Sequence, residues 1–472
     1  MKILLVNPPL TREEIAGRMK KVINLLPPLG IGYIAAVLEK AGFAVKILDC
    51  PPLRLSHADL GAFVQAEKPD IIGFTASTIA VHSAGRAAVN ARSLSPESLL
   101  VIGGSHVSAL PEETMSKGIF DVGVIGEGEQ TFLQLALRLR SGSRDFADIA
   151  GLIYHDKGRF VRTESRTFAK DLDSLPFPAL HLFPPLSKYY PMPGSVRKKP
   201  YVQVMSSRGC PYRCTFCDRA TFGGKYRARS PQNVVDEIEM LIARFGVKEI
   251  KFNDDTFNVD EDRVVGICEE IIKRRLEIIW TCRIHARNVS VRLLKIMKHA
   301  GCWQIGFGIE SGDRELLARL NKSLTLEQAL LAVAWAKEAD LNVKVSFMFG
   351  LPGETQATMA RTITFAKTLL ADIVNFHVFI PFPGTEIFRR MDDVGRILHR
   401  DYEKYCQLNV PPGVKLPFLP QGLSEDDIRK ASVRGHRSFY LRPSYLWRQL
   451  RQVRSFFDIW RYWQGLLTVA GL

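Results

Sequence analysis

Hydrophobic runs alternate with helix-like segments along the first third of the chain. The short apolar runs, which are typical of buried parallel strands, lie at residues 3–6, 43–49, 70–76, 99–104 and 121–126. Segments with apolar residues at helical spacing separate them, and in one of these, 29–42, Gly42 is placed to end the helix. Strands and helices that alternate in this way predict an α/β fold with a doubly wound parallel sheet, which binds ligands at the carboxyl ends of its strands.

A second alternating series begins after residue 229. Ser230 and Pro231 are suited to the N-cap and the first turn of a helix over 232–244. The strands predicted in this series lie at 249–252, 278–284, 303–310, 343–350 and 373–379. Polar residues stand at the carboxyl end of nearly every one of them, and α/β barrels carry their chemistry at that end.

The stretch between the two series predicts a connector. Residues 150–161 have the pattern of a hairpin around a turn at 156–158, and proline-rich patches follow it. We therefore predict that the chain has four parts. They are the first α/β domain at 1–145, the connector with its hairpin at 146–199, the second α/β domain at 200–390 and a C-terminal extension at 391–472.

The last part is predicted to be a mainly helical extension. It begins with a loop-rich stretch after residue 400. Apolar residues then recur at a spacing of three and four, at Leu446, Leu450, Val453, Phe457, Trp460, Trp463 and Leu467. Arginines lie largely off this stripe, which predicts a basic amphipathic helix. Such a helix either lies on an anionic membrane or packs on the preceding domain, and the sequence leaves both options open.

Composition excludes few function classes. The 472 residues are 46% hydrophobic and 24% charged, as in an ordinary globular protein, and the formal net charge of +15 bears on association rather than on fold. No nucleic-acid recognition motif accompanies the charge, so we expect no nucleic acid as a partner. No apolar run approaches the ~20 residues of a membrane-spanning helix, and the first run ends at Pro8, too early for a signal peptide. We expect a cytoplasmic protein, with peripheral contact at the inner face of the membrane as an option.

Three cysteines are the strongest chemical signal in the sequence. Cys210, Cys214 and Cys217 are separated by four and three residues, whereas the other cysteines are scattered singly, which suits a reducing compartment. A structural zinc ion usually takes four protein ligands, and disulfides need an even number of cysteines. An iron–sulfur cube held by three cysteines keeps one iron open for another molecule. A zinc site with a remote fourth ligand is the alternative that the cysteines leave open.

With an aromatic residue, Phe216, before the last cysteine, this motif resembles that of the radical S-adenosylmethionine (radical SAM) enzymes. The resemblance implies a 4Fe–4S cluster bound by Cys210, Cys214 and Cys217 and a partial (β/α)6 barrel over residues 200–390. It also implies that SAM chelates the open iron and is cleaved to a 5'-deoxyadenosyl radical after electron transfer from the cluster.

The same resemblance assigns residues to SAM by their positions after the strands. Asp254, Asp255 and Thr256 correspond to the turn that receives the amino group of SAM. Arg283 corresponds to a strand residue that meets the SAM carboxylate, which a guanidinium group can bind through two parallel hydrogen bonds. Without the family context, a surface ion pair would be the ordinary interpretation of Arg283.

The remaining positions correspond to the nucleoside end of SAM. Glu310, in the segment 308–312, stands where the family holds the ribose hydroxyl groups, although an acid here could also be a helix cap. Ser346 and the turn at 350–354 stand where the family lines the far side of the nucleoside.

The first part of the chain resembles the cobalamin-binding domain that precedes the barrel in a subgroup of these enzymes. By position, Ser77, Gly103 and Gly104 would surround the nucleotide tail of cobalamin, and the segment of Gly126, Glu127, Gly128 and Glu129 would lie near the corrin ring. Many cobalamin domains carry a D-x-H-x-x-G motif whose histidine binds cobalt, and residues 7–42 contain no such motif. The lower axial ligand therefore stays open, because His106 lies in a different loop.

The resemblance implies an enzyme that uses both cofactors to methylate an unactivated carbon of a small molecule, with an external electron donor such as flavodoxin or ferredoxin. The alternatives are an oxidative cyclase or rearrangement enzyme of the same subgroup, similar to the anaerobic magnesium-protoporphyrin monomethyl ester cyclase, or a non-enzymatic cobalamin-dependent sensor. Methylthiotransferases fit less well. They carry an N-terminal domain with three cysteines of its own, whereas Cys50 is the only cysteine before residue 200 here. A lipid, isoprenoid or tetrapyrrole is the substrate that a membrane-facing tail would suit.

Overall fold

A seven-stranded sheet forms the core of the first part of the chain. The computed structural model describes residues 1–11, 25–191, 195–405 and 415–450. The strands of this sheet are β1 (Lys2–Asn7), β2 (Ala44–Asp49), β3 (Ile71–Thr75), β4 (Leu99–Gly103), β5 (Val122–Val124), β6 (Leu152–Asp156) and β7 (Arg159–Arg162). They lie in the order β2-β1-β3-β4-β5-β6-β7, and β1 to β5 are parallel. Since β1 lies between β2 and β3, the chain winds in both directions from the first strand, which confirms the predicted doubly wound sheet.

The predicted hairpin is present as β6 and β7, but it belongs to this sheet. β6 pairs antiparallel with β5, with Gly123 opposite Ile153, and β7 pairs with β6. The hairpin therefore closes one edge of the first sheet, although its residues fall within the predicted connector. The sequence showed a local turn and could not show which strand the hairpin would join.

Helices cover both faces of the first sheet. They are α1 (Leu29–Lys40), α2 (Cys50–Leu53), α3 (His57–Glu67), α4 (Val81–Leu94), α5 (Ser105–Ala109), α6 (Pro111–Met115) and α7 (Glu129–Arg140). On one face, Ala35 and Phe132 pack with Leu5, and on the other, Leu60 and Ala88 lie in a cluster with Leu4. Alternate residues of β1 thus enter different cores, as expected for a strand that is buried on both faces.

A six-stranded parallel sheet forms the second half. Its strands are β8 (Tyr201–Val204), β11 (Glu249–Phe252), β12 (Ile279–Ile284), β13 (Cys302–Glu310), β14 (Asn342–Phe349) and β15 (Ile373–Val378), and the short strands β9 (Ser207–Arg208) and β10 (Arg227–Ala228) form a separate ladder. The order β15-β14-β13-β12-β11-β8 is open between β15 and β8, so the sheet is a partial barrel, as predicted.

Helices pack on the outside of this barrel. They are α8 (Pro231–Phe245), α9 (Glu261–Lys273), α10 (Val291–His299), α11 (Arg314–Arg319), α12 (Leu326–Glu338), α13 (Gln356–Thr368) and α14 (Glu386–Asp393). α8 begins as predicted, with the Ser230 side chain accepting a hydrogen bond from the backbone N–H of Asn233, and ends at Gly246 in a left-handed conformation. Alternate strand residues such as Ile250 and Val345 are fully buried against these helices. The residues between them face the inside of the barrel, where they are mostly polar.

The C-terminal extension is helical where the structure describes it, with α15 (Glu425–Tyr440) and α16 (Pro443–Leu450). α15 was not predicted; Ser424 caps it together with Asp427, and Ile428 and Phe439 are buried. α16 packs on the barrel, since Tyr445 Oη donates to the carbonyl of Asp372 at 2.9 Å and Arg448 to that of Ala371 at 2.6 Å. The predicted apolar stripe from Val453 onward lies outside the described residues. Among the helices of the described ranges, none combines the length and the apolar character that a bilayer span requires.

The turn before β13 provides a test of the barrel. Gly301 has a φ of 95°, and a Cβ atom at this position would overlap the carbonyl oxygen of Ile278. We expect Gly301→Ala to lower the free energy of unfolding by about 3 kcal/mol, because it combines backbone strain with a steric clash. Gly246→Ala is the matched control, with a φ of 63° and open space around the position, and should cost about 1 kcal/mol. Urea unfolding followed by tryptophan fluorescence measures both, and equal losses would contradict the placement of this turn.

Candidate cofactor site

The three cysteines lie on a loop that connects two short paired strands. In the ladder of β9 and β10, Arg208 pairs with Arg227. Gly209 follows with a φ of 78°, and a Cβ atom there would overlap the carbonyl oxygen of Lys225. Glycine is needed at this position because other residues would be strained and would collide with the backbone. The ladder therefore fixes the point at which the cysteine loop begins.

Contacts with the barrel hold the loop along its length. The backbone N–H of Thr215 donates to the carbonyl of Leu320 at 3.0 Å. The carbonyl of Thr215 accepts a hydrogen bond from the backbone N–H of Ile387, also at 3.0 Å. The Tyr212 ring stacks on the His285 ring with 4.0 Å between centroids. Burial lowers the pKa of His285 to about 3, so this ring is neutral. The loop is thus positioned on both sides of Cys214.

The cysteines differ in their surroundings. Cys214 is buried, and Cys210 Sγ lies 3.5 Å from Thr256 Oγ1. Burial raises the pKa of the Cys214 thiol, and it raises that of Cys217 to about 12 although Cys217 keeps solvent access. Binding of a metal cluster therefore has to displace protons from these thiols. Among the described residues, no three His, Cys, Asp or Glu side chains converge closely enough to hold a single metal ion; in a cube, each cysteine binds a different iron atom.

Glu310 is held beside the cysteine loop. Its φ of 74° is unusual for a residue with a side chain, and the pairing of β13 with β14 is irregular there. Its carboxylate lies over Gly308, where a Cβ atom would overlap it. Lys322 Nζ is 3.4 Å from Glu310 Oε1 and 5.8 Å from the centre of the Phe216 ring. Lys322 therefore links the acid to the loop, and no motif in the sequence pointed to this lysine.

The two aspartates of the turn after β11 have different surroundings. Asp254 is buried and accepts hydrogen bonds from the backbone N–H and the hydroxyl of Ser206 and from the hydroxyl of Ser207, with Arg263 at 3.7 Å. Its carboxylate thus holds the segment that leads into the cysteine loop. Asp255 is exposed on its outer side. Its pKa is raised, mainly because the protein partly removes the carboxyl group from water and secondly because of the charge of Asp254. Of the two, Asp255 is the one exposed to solvent, although the backbone N–H of Gly209 donates to its carboxyl group. Its predicted role towards SAM stays a prediction.

Arg283 and Ser346 lie on the inner face of the barrel. Arg283 is exposed, and its Cγ lies 3.5 Å from the position that a Cβ atom of Gly306 would take. Ser346 on β14 pairs with Gly308 on β13. The two glycines leave space between these side chains and Glu310 on the same face. The structure therefore brings three residues, those predicted to contact the carboxylate or the nucleoside of SAM, to one side of the sheet.

The turn from Gly350 to Glu354 keeps its shape through an internal hydrogen-bond pair. Gly350 has a φ of 89°, and both its N–H and that of Leu351 donate to the Glu354 carboxylate. Burial raises the pKa of Glu354 to about 8. This carboxylate therefore serves the turn itself and does not face an open site.

A cavity lies at the carboxyl edge of the first sheet. The strand ends contribute Thr75, Gly103, Gly104, Gly126, Glu127, Gly128 and Glu129 to its lining, and the second half contributes Met205, Arg208, Thr221 and Phe222. Residues from both halves of the chain thus enclose one space.

Gly104 allows the turn after β4 to pack against the backbone of the turn after β3. Gly104 has a φ of 112°, and a Cβ atom there would lie 2.6 Å from the carbonyl oxygen of Ala76.

Ser77 is exposed at the start of a short 3-10 turn and does not line the cavity, whereas Thr75, two residues earlier, does. His106 is buried with Nδ1 3.4 Å from Thr78 Oγ1 and does not line the cavity either.

Buried ion pairs connect this cavity to the cysteine loop. Arg208, two residues before Cys210, donates to Glu129 at 2.6 Å and lies 3.2 Å from Glu127. Arg227, its partner in the ladder, lies 2.8 Å from Glu127. These four side chains are each no more than 8% exposed. The carboxylate of Glu127, predicted to lie near the corrin ring, is engaged in this network.

Comparisons with known proteins agree with both halves of this description. The B12 binding domain model matches residues 17–136, and the Radical SAM superfamily model matches residues 204–366. The uncharacterized methyltransferase PH0819 of Pyrococcus horikoshii is 34% identical over 99% of this chain and 98% of its own length. The chain belongs to the cobalamin-binding radical SAM proteins.

Two further similarities extend this result. The anaerobic magnesium-protoporphyrin IX monomethyl ester cyclase of Rubrivivax gelatinosus is 28% identical over 94% of this radical SAM protein and 78% of its own length. The structure of TsrM from Kitasatospora setae, a radical SAM methyltransferase with cobalamin and a [4Fe-4S] cluster bound, matches with a TM-score of 0.72 and 20% identity, over 94% of this chain and 89% of that chain. The family thus makes this radical SAM protein an enzyme whose cofactors are a 4Fe–4S cluster, SAM and cobalamin.

The residues present in this radical SAM protein fit these groups. Gly103 and Gly126 line the cavity with open backbone, since a Cβ atom at either position would have no contact closer than 3.6 Å. Thr221 Oγ1, in the lining of the same cavity, is buried without a hydrogen-bond partner in the described chain. An unpaired buried hydroxyl is costly, so a ligand with polar groups at its periphery suits the cavity.

A larger cavity of about 620 Å³ lies elsewhere, between α4 and the turn at Tyr402. His82, His106 and Lys117 line it, and none of the residues predicted to bind cofactors does so. Volume alone therefore does not identify the cofactor site. The cavity at the carboxyl edge fits better because it carries the glycines at the strand ends, where such sheets bind ligands.

Removal of one charge from the ion-pair network should be more harmful than removal of a pair. Arg208→Met leaves Glu129 buried without its partner, and we expect the free energy of unfolding to fall by about 3–5 kcal/mol. The double variant Arg208→Met, Glu129→Met removes both charges and should recover most of the loss, because Glu127 keeps Arg227. Urea unfolding of the double variant and of both single variants, Arg208→Met and Glu129→Met, measures the coupling. A double variant that loses the sum of the two single losses would contradict the account of this network.

Proposed function

We propose that this enzyme methylates an unactivated carbon atom of a small-molecule substrate, with SAM and cobalamin brought to one substrate space between the two halves of the chain. The observation that carries the proposal is the shared cavity. Gly103 and Gly126 at the edge of the cobalamin-type sheet line it together with Arg208 and Thr221 from the ladder and loop that carry the cysteines. Chemistry that uses both cofactors requires such a common space.

The residues of the chain have separate tasks in this proposal. Cys210, Cys214 and Cys217 would hold the cluster, which supplies the electron for SAM cleavage, while bound cobalamin supplies the methyl group. Asp255, the exposed acid of the turn after β11, would meet the amino group of SAM, and Arg283 would meet its carboxylate. Glu310, oriented by Lys322 at 3.4 Å, would accept hydrogen bonds from the ribose hydroxyls.

The protein also has to protect a reactive intermediate from water. Lys322 lies near the Phe216 ring of the cysteine loop on the side of Glu310. The Lys322 and Glu310 side chains are 10% and 11% exposed. This ion pair would keep water from the Glu310 side of the loop, whereas Cys217 stays open to solvent and a bound substrate would have to cover that side.

An oxidative cyclase is the second candidate, favoured by the 28% identity to the Rubrivivax gelatinosus protein over 94% of this chain. The two reactions differ in their products from SAM. Methyl transfer consumes one SAM for the methyl group, which yields S-adenosylhomocysteine, and another for the 5'-deoxyadenosyl radical. Cyclisation needs only the radical. The ratio of the two products therefore separates the candidates once a substrate is supplied.

Peripheral contact with a membrane, a cytoplasmic location and a flavodoxin or ferredoxin as electron donor stay predictions from the sequence. The stripe on which membrane contact rests begins at Leu446, and its positions from Val453 onward lie beyond the described residues. The start of the stripe lies in α16, which packs against the barrel. A tetrapyrrole is a reasonable first substrate to test, because the cyclase of Rubrivivax gelatinosus is named for a magnesium protoporphyrin.

Anaerobic reconstitution with iron, sulfide and hydroxocobalamin tests the proposed function. With SAM and a reductant, we expect 5'-deoxyadenosine, and with a methyl-accepting substrate also S-adenosylhomocysteine in about equal amount. Cys214→Ala should lose the cluster and the 5'-deoxyadenosine. Cys268→Ala is the control, since this cysteine is buried in α9 away from the loop. If 5'-deoxyadenosine accompanies product formation without S-adenosylhomocysteine, the cyclase is supported and methyl transfer is contradicted.

Substitution of a single glycine tests which cavity takes cobalamin. Gly103 and Gly85 each have room for a Cβ atom, with the nearest contact at 3.6 Å, but Gly103 lines the cavity at the sheet edge and Gly85 the larger cavity. Gly103→Leu should lower retained cobalamin at least tenfold and leave the iron content unchanged, because the side chain fills the space of the ligand. Gly85→Leu should retain cobalamin. Corrinoid absorption after gel filtration measures both variants, and the reverse pattern would assign cobalamin to the other cavity.

A further inference from the structure

Three cations line the inner face of the barrel. They are Lys251 on β11, Arg283 on β12 and Lys344 on β14. Their neighbours along the strands, such as Ile250 and Val343, are fully buried against the outer helices. Because successive residues of a strand point to opposite faces, the three cations face the interior.

The strand register places these cations close to each other. Arg283 is opposite Gly306, and Gly306 is opposite Lys344, so only a glycine separates the two positive residues across the sheet. Lys251 is opposite Thr281, the inward-facing position that precedes Arg283 on β12. Arg283 thus lies between the two lysines, with Lys251 one strand away on one side and Lys344 two strands away on the other.

No acid balances these charges. In the described part of the chain, none of the three forms an ion pair or a hydrogen bond through its side chain. The six barrel strands contain two acids, Glu249 and Glu310, and both are engaged elsewhere. Glu249 accepts from the backbone N–H groups of residues 197 and 198 at 2.7 Å and from Trp303 Nε1 at 2.9 Å. Glu310 pairs with Lys322.

The side chains around the cations are neutral. Gln304 donates to Asn342 at 2.7 Å within the same layer. His377 on β15 has its pKa lowered to about 4 by burial and by the nearby charge of Lys344, so it adds no positive charge. Burial and then the charge of Arg283 lower the pKa of both Lys251 and Lys344 to about 8, as expected for enclosed cations without a counter-ion. Unpaired charges in an enclosed site are unfavourable for stability and are found where a ligand balances them.

SAM alone does not supply enough negative charge. It carries one carboxylate, which the resemblance to the family assigns to Arg283, and its sulfonium group is positive. Two ammonium groups would therefore remain without a partner. We propose that Lys251 and Lys344 bind an acidic group of the substrate, a carboxylate or phosphate-type oxyanion, inside the barrel. This inference rests on the proposed function for the identity of the ligand as substrate, and it narrows the substrates to anionic small molecules.

Inorganic phosphate is the probe for this site. The reconstituted full-length protein is titrated with phosphate, and chloride is lowered in step so that the ionic strength stays constant. The melting temperature is measured at each phosphate concentration, with and without saturating SAM. A saturable rise that persists in the presence of SAM is expected, because a ligand that binds the folded state stabilises it. A rise that SAM abolishes would mean that the cations serve the SAM carboxylate, and it would overturn the proposal, as would the absence of any rise.

Variants locate the effect. Lys251→Met and Lys344→Met should each raise the half-saturating phosphate concentration at least tenfold, and the double variant should lose the response. Lys248→Met is the matched control, since Lys248 is exposed just before β11 and the substitution changes the net charge equally. Equal responses in the double variant and the control would overturn the proposal.

A second measurement uses the wild-type chain, in case a variant does not fold. Amine acetylation followed by mass spectrometry should show that phosphate protects Lys251 and Lys344 at least fivefold and leaves Lys248 unprotected. Equal modification with and without phosphate would contradict the site. The yield of 5'-deoxyadenosine from the same sample reports on the proposed function separately. Protection without SAM cleavage would contradict that function and keep the anion site, whereas SAM cleavage without protection would contradict the anion site alone.

Discussion

Four buried charges connect the two halves of this enzyme, and the arrangement of the cofactor site depends on them. Arg208 bonds to Glu129 at 2.6 Å and Arg227 lies 2.8 Å from Glu127, with all four side chains almost completely removed from solvent. Removing such charges from water costs several kcal/mol for each ion, so the pairs contribute little net stability. They define position, because a displaced carboxylate would leave a buried arginine unpaired. The loop that would approach cobalamin and the loop that would hold the cluster are therefore set relative to each other by the same contacts.

The chemistry of the barrel follows from the alternation of its strands. Hydrophobic residues such as Ile250, Val345 and Phe376 face the helices and form the core. The alternate positions are free for function, and they carry the predicted SAM residues as well as the two unpaired lysines. Glycines at 306 and 308 on the central strand keep space in the middle of this face. A stable outer core and a polar interior can thus coexist in one sheet.

Local patterns in the sequence predicted most elements of the fold. The strand at 249–252 and the helix capped by Ser230 appear at their predicted positions, because periodicity and capping are properties of neighbouring residues. The cysteine motif identified the loop through its spacing. Long-range partners could not be predicted in this way, since Arg208 and Glu129 are 79 residues apart and each alone is an ordinary surface-type residue. Lys322 was missed for the same reason, whereas α15 carries a local signal, the cap of Ser424 and Asp427, that was overlooked within a proline-rich stretch. Thr75 lines the cavity and Ser77 does not, and the predicted role of Ser77 at the nucleotide tail stays a prediction.

The central claim is that both cofactors face one common space, and magnetic resonance tests it most directly. A sample that contains cob(II)alamin and the reduced cluster has two unpaired spins, which interact measurably only when they are close. The account predicts electron paramagnetic resonance signals that are broadened or split relative to samples with one of the two cofactors. Signals that equal the sum of the separate spectra would contradict it, because the cofactors would then occupy separate spaces.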